Sequence, residues 1–291
     1  MKDIANLEHA YTHGSVFHSD DVFATAMLLI LNPNLKVTRT NSMDLAASVA
    51  DDHETIVYDI GEGEYDHHQL DKARRPASDG YVFDRDGANR IPYCSFGLLW
   101  RDYGRLLCPT DKAWKKVDQT LVLPIDEADN GLESSQLAGA IAAFNPAWNE
   151  DTSEEARYAA FMDAVDMAKK ILLKYVDRAN AEAEAETLVL NSQVVDGKIL
   201  VLEQYMPWQD TVVEQMPDIL YVVFPSARGG FNVQTVPDAI GSFNGRKLFP
   251  KEWLGHPVRE MGMTFCHPGN FLLATETLMQ AIDCAKAAAL A

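Results

Sequence analysis

The residues His13-Gly14-Ser15-Val16-Phe17-His18-Ser19-Asp20-Asp21 place two imidazoles and two carboxylates close together near the start of the chain. Imidazole nitrogen and carboxylate oxygen together suit manganese, iron or zinc better than calcium. The same residues are also compatible with an ordinary polar loop whose aspartates cap a helix. A second cluster, Tyr65-Asp66-His67-His68-Gln69, sets two adjacent imidazoles beside a carboxylate. Alone it reads more readily as a surface loop. Asp59 closes an otherwise apolar stretch, and carboxylates are seldom buried unless they are paired or hold a metal. A fourth group, Asp126-Glu127-Ala128-Asp129-Asn130-Gly131, puts Asp126 and Asp129 on one helical face by their spacing, although Asn-Gly also simply ends a helix.

These side chains need elements to position them. Residues 16–31 read as a loop followed by a helix, with Ser19, Asp20 and Asp21 as candidates for its cap and first turn. Residues 36–40 and 55–60 read as strands, separated by a helical stretch at 43–51. That rhythm favours a parallel sheet with its ligand site at the carboxyl ends of the strands, where Asp59 falls. Residues 71–92 are turn-rich and charged, a long loop of the kind that is often functional. Helices are expected at 95–107 and 111–128, and a long helix or helix pair at 153–190. Strands follow at 199–203, 220–224 and 231–236, with a closing helix at 275–289. The expected fold class is α/β, with a first domain at 1–150, a helical connector at 151–195 and a smaller C-terminal α/β domain at 196–291.

Composition narrows the function classes. The chain has 291 residues, 47% hydrophobic, and a formal net charge of −18. Such a charge argues against coating nucleic acid non-specifically, which needs a net basic face to release counterions, but leaves room for a nuclease with a narrow basic channel. The longest strongly apolar stretch, 22–31, is about half the ~20 residues needed to span a bilayer, so no membrane partner is expected. Four cysteines with no close pair and an N-terminus without a signal layout make a cytoplasmic protein the expectation.

The order and spacing of the four clusters resemble the DHH phosphoesterase superfamily, and within it the MYG (melanocyte proliferating gene) family. The resemblance spans nearly the whole chain. It rests on His13, His18, Asp20 and Asp21, on residues 65–69, on Ile91-Pro-Tyr-Cys-Ser-Phe-Gly97 and on 126–131. In the second half it rests on 199–203 leading into Pro207-Trp208, on 245–253 and on Phe265-Cys-His-Pro-Gly-Asn-Phe271. Two places depart from the pattern: Gly14 and Ser15 stand where the family usually has Asn-Gly, and the acidic loop after His68 has no clear counterpart.

The resemblance implies a DHH-type parallel-sheet domain with helices on both faces, joined by a long helical segment to the C-terminal domain. It implies two divalent cations, manganese foremost. One would be held by His13, His18 and Asp59. The other would be held by Asp20, Asp59 and His67, with Asp129 or Asp126 completing the set and Asp59 bridging. Cations about 3.5–4 Å apart can clamp a phosphate and activate a water. Asp66 would orient a neighbouring imidazole, and His68 would face the phosphate as a charge stabiliser or proton donor.

Lys72, Arg74 and Arg75 follow the histidines and could grip phosphate oxygens, or form a solvated basic loop. Arg246, Lys247, His267 and Gly269 resemble the family's substrate-side motif. Trp208, Phe243 and Trp253 could stack on bases, although a core role suits Trp208 better. The implied activity is phosphodiester hydrolysis, a 3′–5′ exonuclease acting on RNA or short oligonucleotides. The alternatives are a small-molecule phosphatase or cyclic-dinucleotide hydrolase, which the net charge favours slightly, and a metal-binding regulatory protein without turnover. A homo-oligomer is compatible with each of these.

Overall fold

A computed structural model describes residues 1–69, 73–76, 91–255 and 257–291. Lys72 and most of the charged loop expected at 71–92 lie outside the described residues. The chain divides into two compact units, Met1–Asn180 and Ala181–Ala291. It is mixed α/β: the first unit carries a three-stranded parallel sheet and the second a six-stranded mixed sheet.

In the first unit the strands are β1 (His9–His13), β2 (Lys36–Thr40) and β3 (Thr55–Val57), in the order β2-β1-β3. Strand β1 was not anticipated, because His-Ala-Tyr-Thr-His carries little of the β-branched and aromatic density that marks a strand. Its alternation is nevertheless regular, with Ala10 and Thr12 buried and their neighbours half-buried. Its central place makes His13 the end of a strand rather than part of a loop. Strand β3 is shorter than expected. After Tyr58 the backbone turns, and Asp59, Gly61 and Glu62 take left-handed conformations with φ of 58°, 88° and 55°.

Helix α1 (Ser19–Leu31) is buried from Ser19 through Leu29 and packs against α3 (Ser95–Tyr103), α5 (Leu123–Asp129) and α6 (Gln136–Ala142). A helix apolar all round belongs in a core, which explains why this one shows no polar face. Helix α2 (Met43–Val49) starts at Ser42, whose hydroxyl accepts from the Leu45 amide. The stretch expected as one helix at 111–128 is α4 (Asp111–Val117), a π-helical turn (Asp118–Val122) and α5. Pro124 lies in the first turn of α5, where its missing amide proton does least harm. Helix α7 (Glu154–Leu190) is one continuous 37-residue helix, and the boundary between the units falls within it.

The second unit's sheet runs β4-β5-β6-β7-β9-β8, formed by Gln193–Val195, Ile199–Val201, Tyr221–Pro225, Phe231–Thr235, Leu272–Thr275 and Met263–Cys266 in that order. Among the described residues of this sheet, β5 and β6 pair in parallel and the other neighbours are antiparallel. Helix α9 (Leu278–Leu290) buries Ala281, Cys284, Ala285 and Ala288 against Tyr221, Val233 and Leu273. A second cluster joins Val222 and Phe224 to Trp208 and to Val212 of α8 (Gln209–Gln215). Trp208 is thus a core residue. Trp253 is also buried, whereas Phe243 is fully exposed. No helix among the described residues is long and apolar enough to cross a membrane.

Candidate metal centre

The carboxyl edge of the parallel sheet gathers the titratable residues. His13 ends β1, Asp59 follows β3, and the first turn of α1 brings in Asp20 and Asp21. Helix α1 begins this way because His18 caps it, and the Asp21 carboxylate accepts the His18 amide proton at 2.9 Å. Asp66 braces the turn after β3, accepting from the Glu62 amide at 2.7 Å and from the His68 amide at 3.1 Å. It also accepts from His68 Nδ1 at 2.7 Å, so the imidazole it orients is that of His68.

His13 Nδ1 lies 2.8 Å from the Gly14 carbonyl, a contact only a protonated Nδ1 satisfies. That turns Nε2 inward, 3.1 Å from Asp21 Oδ2 and 3.1 Å from Asp59 Oδ2. A second group surrounds His67 Nε2, with Asp59 Oδ1 at 3.0 Å, Asp20 Oδ2 at 3.4 Å and Asp129 Oδ2 at 3.4 Å. Asp59 therefore presents one oxygen to each group. Among the described residues three sets have the donor separations of a metal site: His13–Asp21–Asp59, Asp20–His67–Asp129 and Asp59–His67–His68. A cavity of about 730 Å³ opens over them, lined among others by His13, His18, Asp59, His67, His68 and Asp129.

The electrostatics are those of crowded anions. Burial lowers the pKa of His13, but the Asp21 and Asp59 carboxylates beside it outweigh that and raise the group to about 11. His67 is raised to about 11 in the same way, against its burial, by Asp20 and Asp59. Burial, then the charge of Asp20, pushes Asp129 up to about 8, and burial raises Asp21 to about 6. Asp20 moves the other way, its burial outweighed by His67.

His13 Nε2, Asp20 Oδ1, Asp21 Oδ2 and Asp129 Oδ2 are buried without a hydrogen bond. Buried polar atoms of this kind are costly unless something else binds them. Four aspartates around two imidazoles, with mixed nitrogen and oxygen donors, fit divalent cations.

The structure separates the two aspartates that sequence left open. Asp126 directs both oxygens away from the centre: one accepts from the Cys94 amide at 2.9 Å and the other from Arg75 Nε at 2.6 Å. Asp129, one turn on, faces His67. Arg75 also donates to Asp118 at 2.6 and 3.0 Å and is 2% exposed, so it is a buried counter-charge and not a phosphate grip. Two buried carboxylates require such a partner. Arg74 pairs its backbone with Pro92 in an isolated bridge.

His18 is exposed and stacks on His13 with ring centroids 5.7 Å apart; it lines the cavity without entering any of the donor sets. Asp21 takes the place beside His13, a position that sequence assigned only to the acidic pair of the motif. Its signal was the three-residue spacing from His18, which makes it the reciprocal cap.

In the second unit, Arg246 donates to the carbonyls of Val212, Val213, Met216 and Ile219, closing the end of α8. Lys247 donates to the Ala289 carbonyl at the end of α9. Both cations are occupied by helix ends rather than set for an anion. His267 accepts the Gly269 amide at 2.8 Å in a tight turn between Phe265 and Phe271. A Cβ on Gly269 would stand 3.0 Å from that imidazole.

The profile of a family described as Uncharacterised protein family (UPF0160), MYG1 exonuclease, matches residues 9–289. A MYG1 protein of Saccharomyces cerevisiae is 26% identical, covering 94% of each chain. A MYG1 exonuclease of Mus musculus is 25% identical over 95% of this chain and 83% of its own. A MYG1 protein of Chlamydia pneumoniae is 24% identical over 90% of this chain and 89% of its own. No solved structure matches the chain.

Proposed function

The chain belongs to the MYG1 exonuclease family (UPF0160), and from that premise we propose that it is a divalent-metal-dependent phosphodiester hydrolase, removing nucleotides from the 3′ end of RNA or short oligonucleotides. The observation that carries this reading is Asp59, whose two oxygens face two separate groups of buried donors. A parallel sheet presenting these residues at its carboxyl edge supports a DHH-type arrangement. Manganese suits the mixed imidazole and carboxylate set. The four cysteines are all unpaired and buried, which fits the reducing cytoplasm in which we place the enzyme.

His13, Asp21 and Asp59 would hold one cation, and Asp20, Asp59, His67 and Asp129 the other, with His18 stacked on His13 beside the first. Cations bound there would neutralise phosphate charge and supply an activated water. The remaining chemistry falls to the chain. Asp66 fixes His68 through Nδ1 and leaves its Nε2 available to the cavity. That hydrogen bond raises the His68 pKa, which favours the protonated ring that would serve the leaving ribose oxygen as its bond to phosphorus breaks. The His13 hydrogen bond to Gly14 keeps its ring turned inward without help from substrate.

The test is hydrolysis of a labelled short RNA by chelator-stripped protein with Mn²⁺, Mg²⁺ or Zn²⁺ restored, beside Asp59→Ala and a generic phosphodiester. Manganese-dependent release of mononucleotides that disappears in Asp59→Ala is the expected result. Turnover of the generic ester alone would replace the nucleic-acid substrate with a small phosphoester, the reading that the charge of −18 favours. Metal bound with no turnover of either would leave a binding protein.

A further inference from the structure

Arg39, in edge strand β2, presents a buried guanidinium with two unsatisfied donor nitrogens. Its side chain is 6% exposed, yet Nε and Nη2 have no hydrogen-bond partner. The plane is held in place by aromatic rings, 4.4 Å from the Phe161 centroid and 5.4 Å from that of Phe17. Asp21 Oδ2 is 3.8 Å from Nη2, near enough to attract but too far to accept a hydrogen bond. Arg39 lines a second cavity of about 640 Å³, with Ser15, Thr40, Asn41, Arg157 and Tyr158. Burial holds Arg39 below its ordinary pKa, and the charge of Arg157 adds to the effect.

Two like charges and several neutral donors around open space make a receptor for an anion. Glu154 and Glu155 line the same cavity but are exposed to solvent, which screens them. Asn41 lines both this cavity and that of the metal centre, and the run His13-Gly14-Ser15 passes from one to the other. The close fit at that junction is visible at Gly14, where a Cβ would stand 2.9 Å from the Asn41 amide.

We propose that Arg39 and Arg157 form a phosphate subsite beside the metal centre, holding a phosphate of single-stranded RNA next to the one being cleaved. The identity of the polyanion rests on the nuclease reading; the anion site does not. Arg39 would supply the planar fork and Arg157 a second charge.

The test uses the full chain loaded with manganese and a fluorescent short RNA with phosphorothioate linkages, titrated against salt. Arg39→Met and Arg157→Gln are each expected to weaken binding and to shallow the slope of log K against log salt, by at most about 0.7, the share of the one single-strand phosphate they hold together. Arg39→Lys should restore the slope while binding less tightly. Metal content should stay at the wild-type level in Arg157→Gln. Inorganic phosphate is titrated in parallel into chelator-stripped wild type and variants. Phosphate binding weakened by these substitutions, with no RNA binding by wild type, would keep the subsite and discard the nuclease reading. An unchanged slope and unchanged phosphate affinity in both Arg157→Gln and Arg39→Met would overturn the subsite, leaving Arg39 as the counter-charge of Asp21 alone.

Discussion

Asp126 and Asp129 share a residue type and a helix face, yet their surroundings give them different work. Asp129 has a buried oxygen with no hydrogen bond, facing His67 and the like charges of Asp20 and Asp59. Asp126 is consumed by Arg75 and the Cys94 amide. Asp129→Asn should therefore weaken metal binding by tenfold or more, on the order of what loss of a supporting group to a metal ligand costs. It should leave the metal-free chain about as stable as before near neutral pH, because Asp129, raised to about 8, is largely uncharged there and asparagine replaces one neutral group with another. Asp126→Asn should do the reverse, losing about 1–3 kcal/mol because it takes a charged partner from the buried Arg75 guanidinium. Chelator competition and urea denaturation of both variants check the pair. Equal effects on metal affinity would mean that the two aspartates act as one unit.

At the scale of elements, the centre depends on how closely helices α3 and α5 approach. Gly97 lies in the first turn of α3, and a Cβ there would stand 2.3 Å from one Asp126 oxygen and 2.7 Å from the other. Neither the helix backbone nor a carboxylate fixed by Arg75 can yield cheaply. Gly97→Ala is expected to destabilise the chain by about 1–3 kcal/mol, the usual cost of overpacking, despite alanine's better helix propensity. The urea midpoint measures this, and an unchanged or higher midpoint would show that α3 and α5 are not locked together through Asp126. The π-helical turn before α5 belongs to the same device, since it carries Asp118 to the other side of the Arg75 guanidinium.

For the molecule as a whole, the centre couples stability to pH. Asp21, Asp129, His13 and His67 all have folded-state pKa values above their ordinary ones, at about 6, 8, 11 and 11. A raised group contributes stability below its unfolded pKa, and that contribution is lost as pH rises through the folded value. The windows open near pH 4 for the carboxylates and near pH 6.5 for the imidazoles. Asp20 is lowered, so its opposite effect falls below about pH 4. Chelator-stripped protein should accordingly melt at lower temperature as pH rises from about 5 to 9. Bound cations displace those protons, so the rise in Tm on adding Mn²⁺ should grow over the same range. Calorimetry with and without manganese checks both trends. A Tm of the stripped protein that climbs with pH would contradict the crowding of charge described for this site.

Much of this was legible in the residues. The chemical types of the donors, their order along the chain and the parallel sheet needed to gather them follow from His13, Asp20, Asp59 and His67 and the apolar stretches between, because ligand chemistry and strand–helix rhythm are local properties. Strand β1 was not legible, since the chain holds His-Ala-Tyr-Thr-His extended only by pairing it on both edges with β2 and β3. Nor could spacing say which of Asp126 and Asp129 faces the centre, that Arg75 is buried, that Arg246 closes a helix, or that Arg39 opens onto a cavity. Those outcomes depend on partners 43 and 51 residues away for Arg75 and about 30 away for Arg246. A charged side chain's role is set by what folding brings against it, because desolvation and pairing are tertiary quantities. The sequence by itself determined which atoms are available to hold a metal; only the tertiary structure decided which of them are left without any other partner.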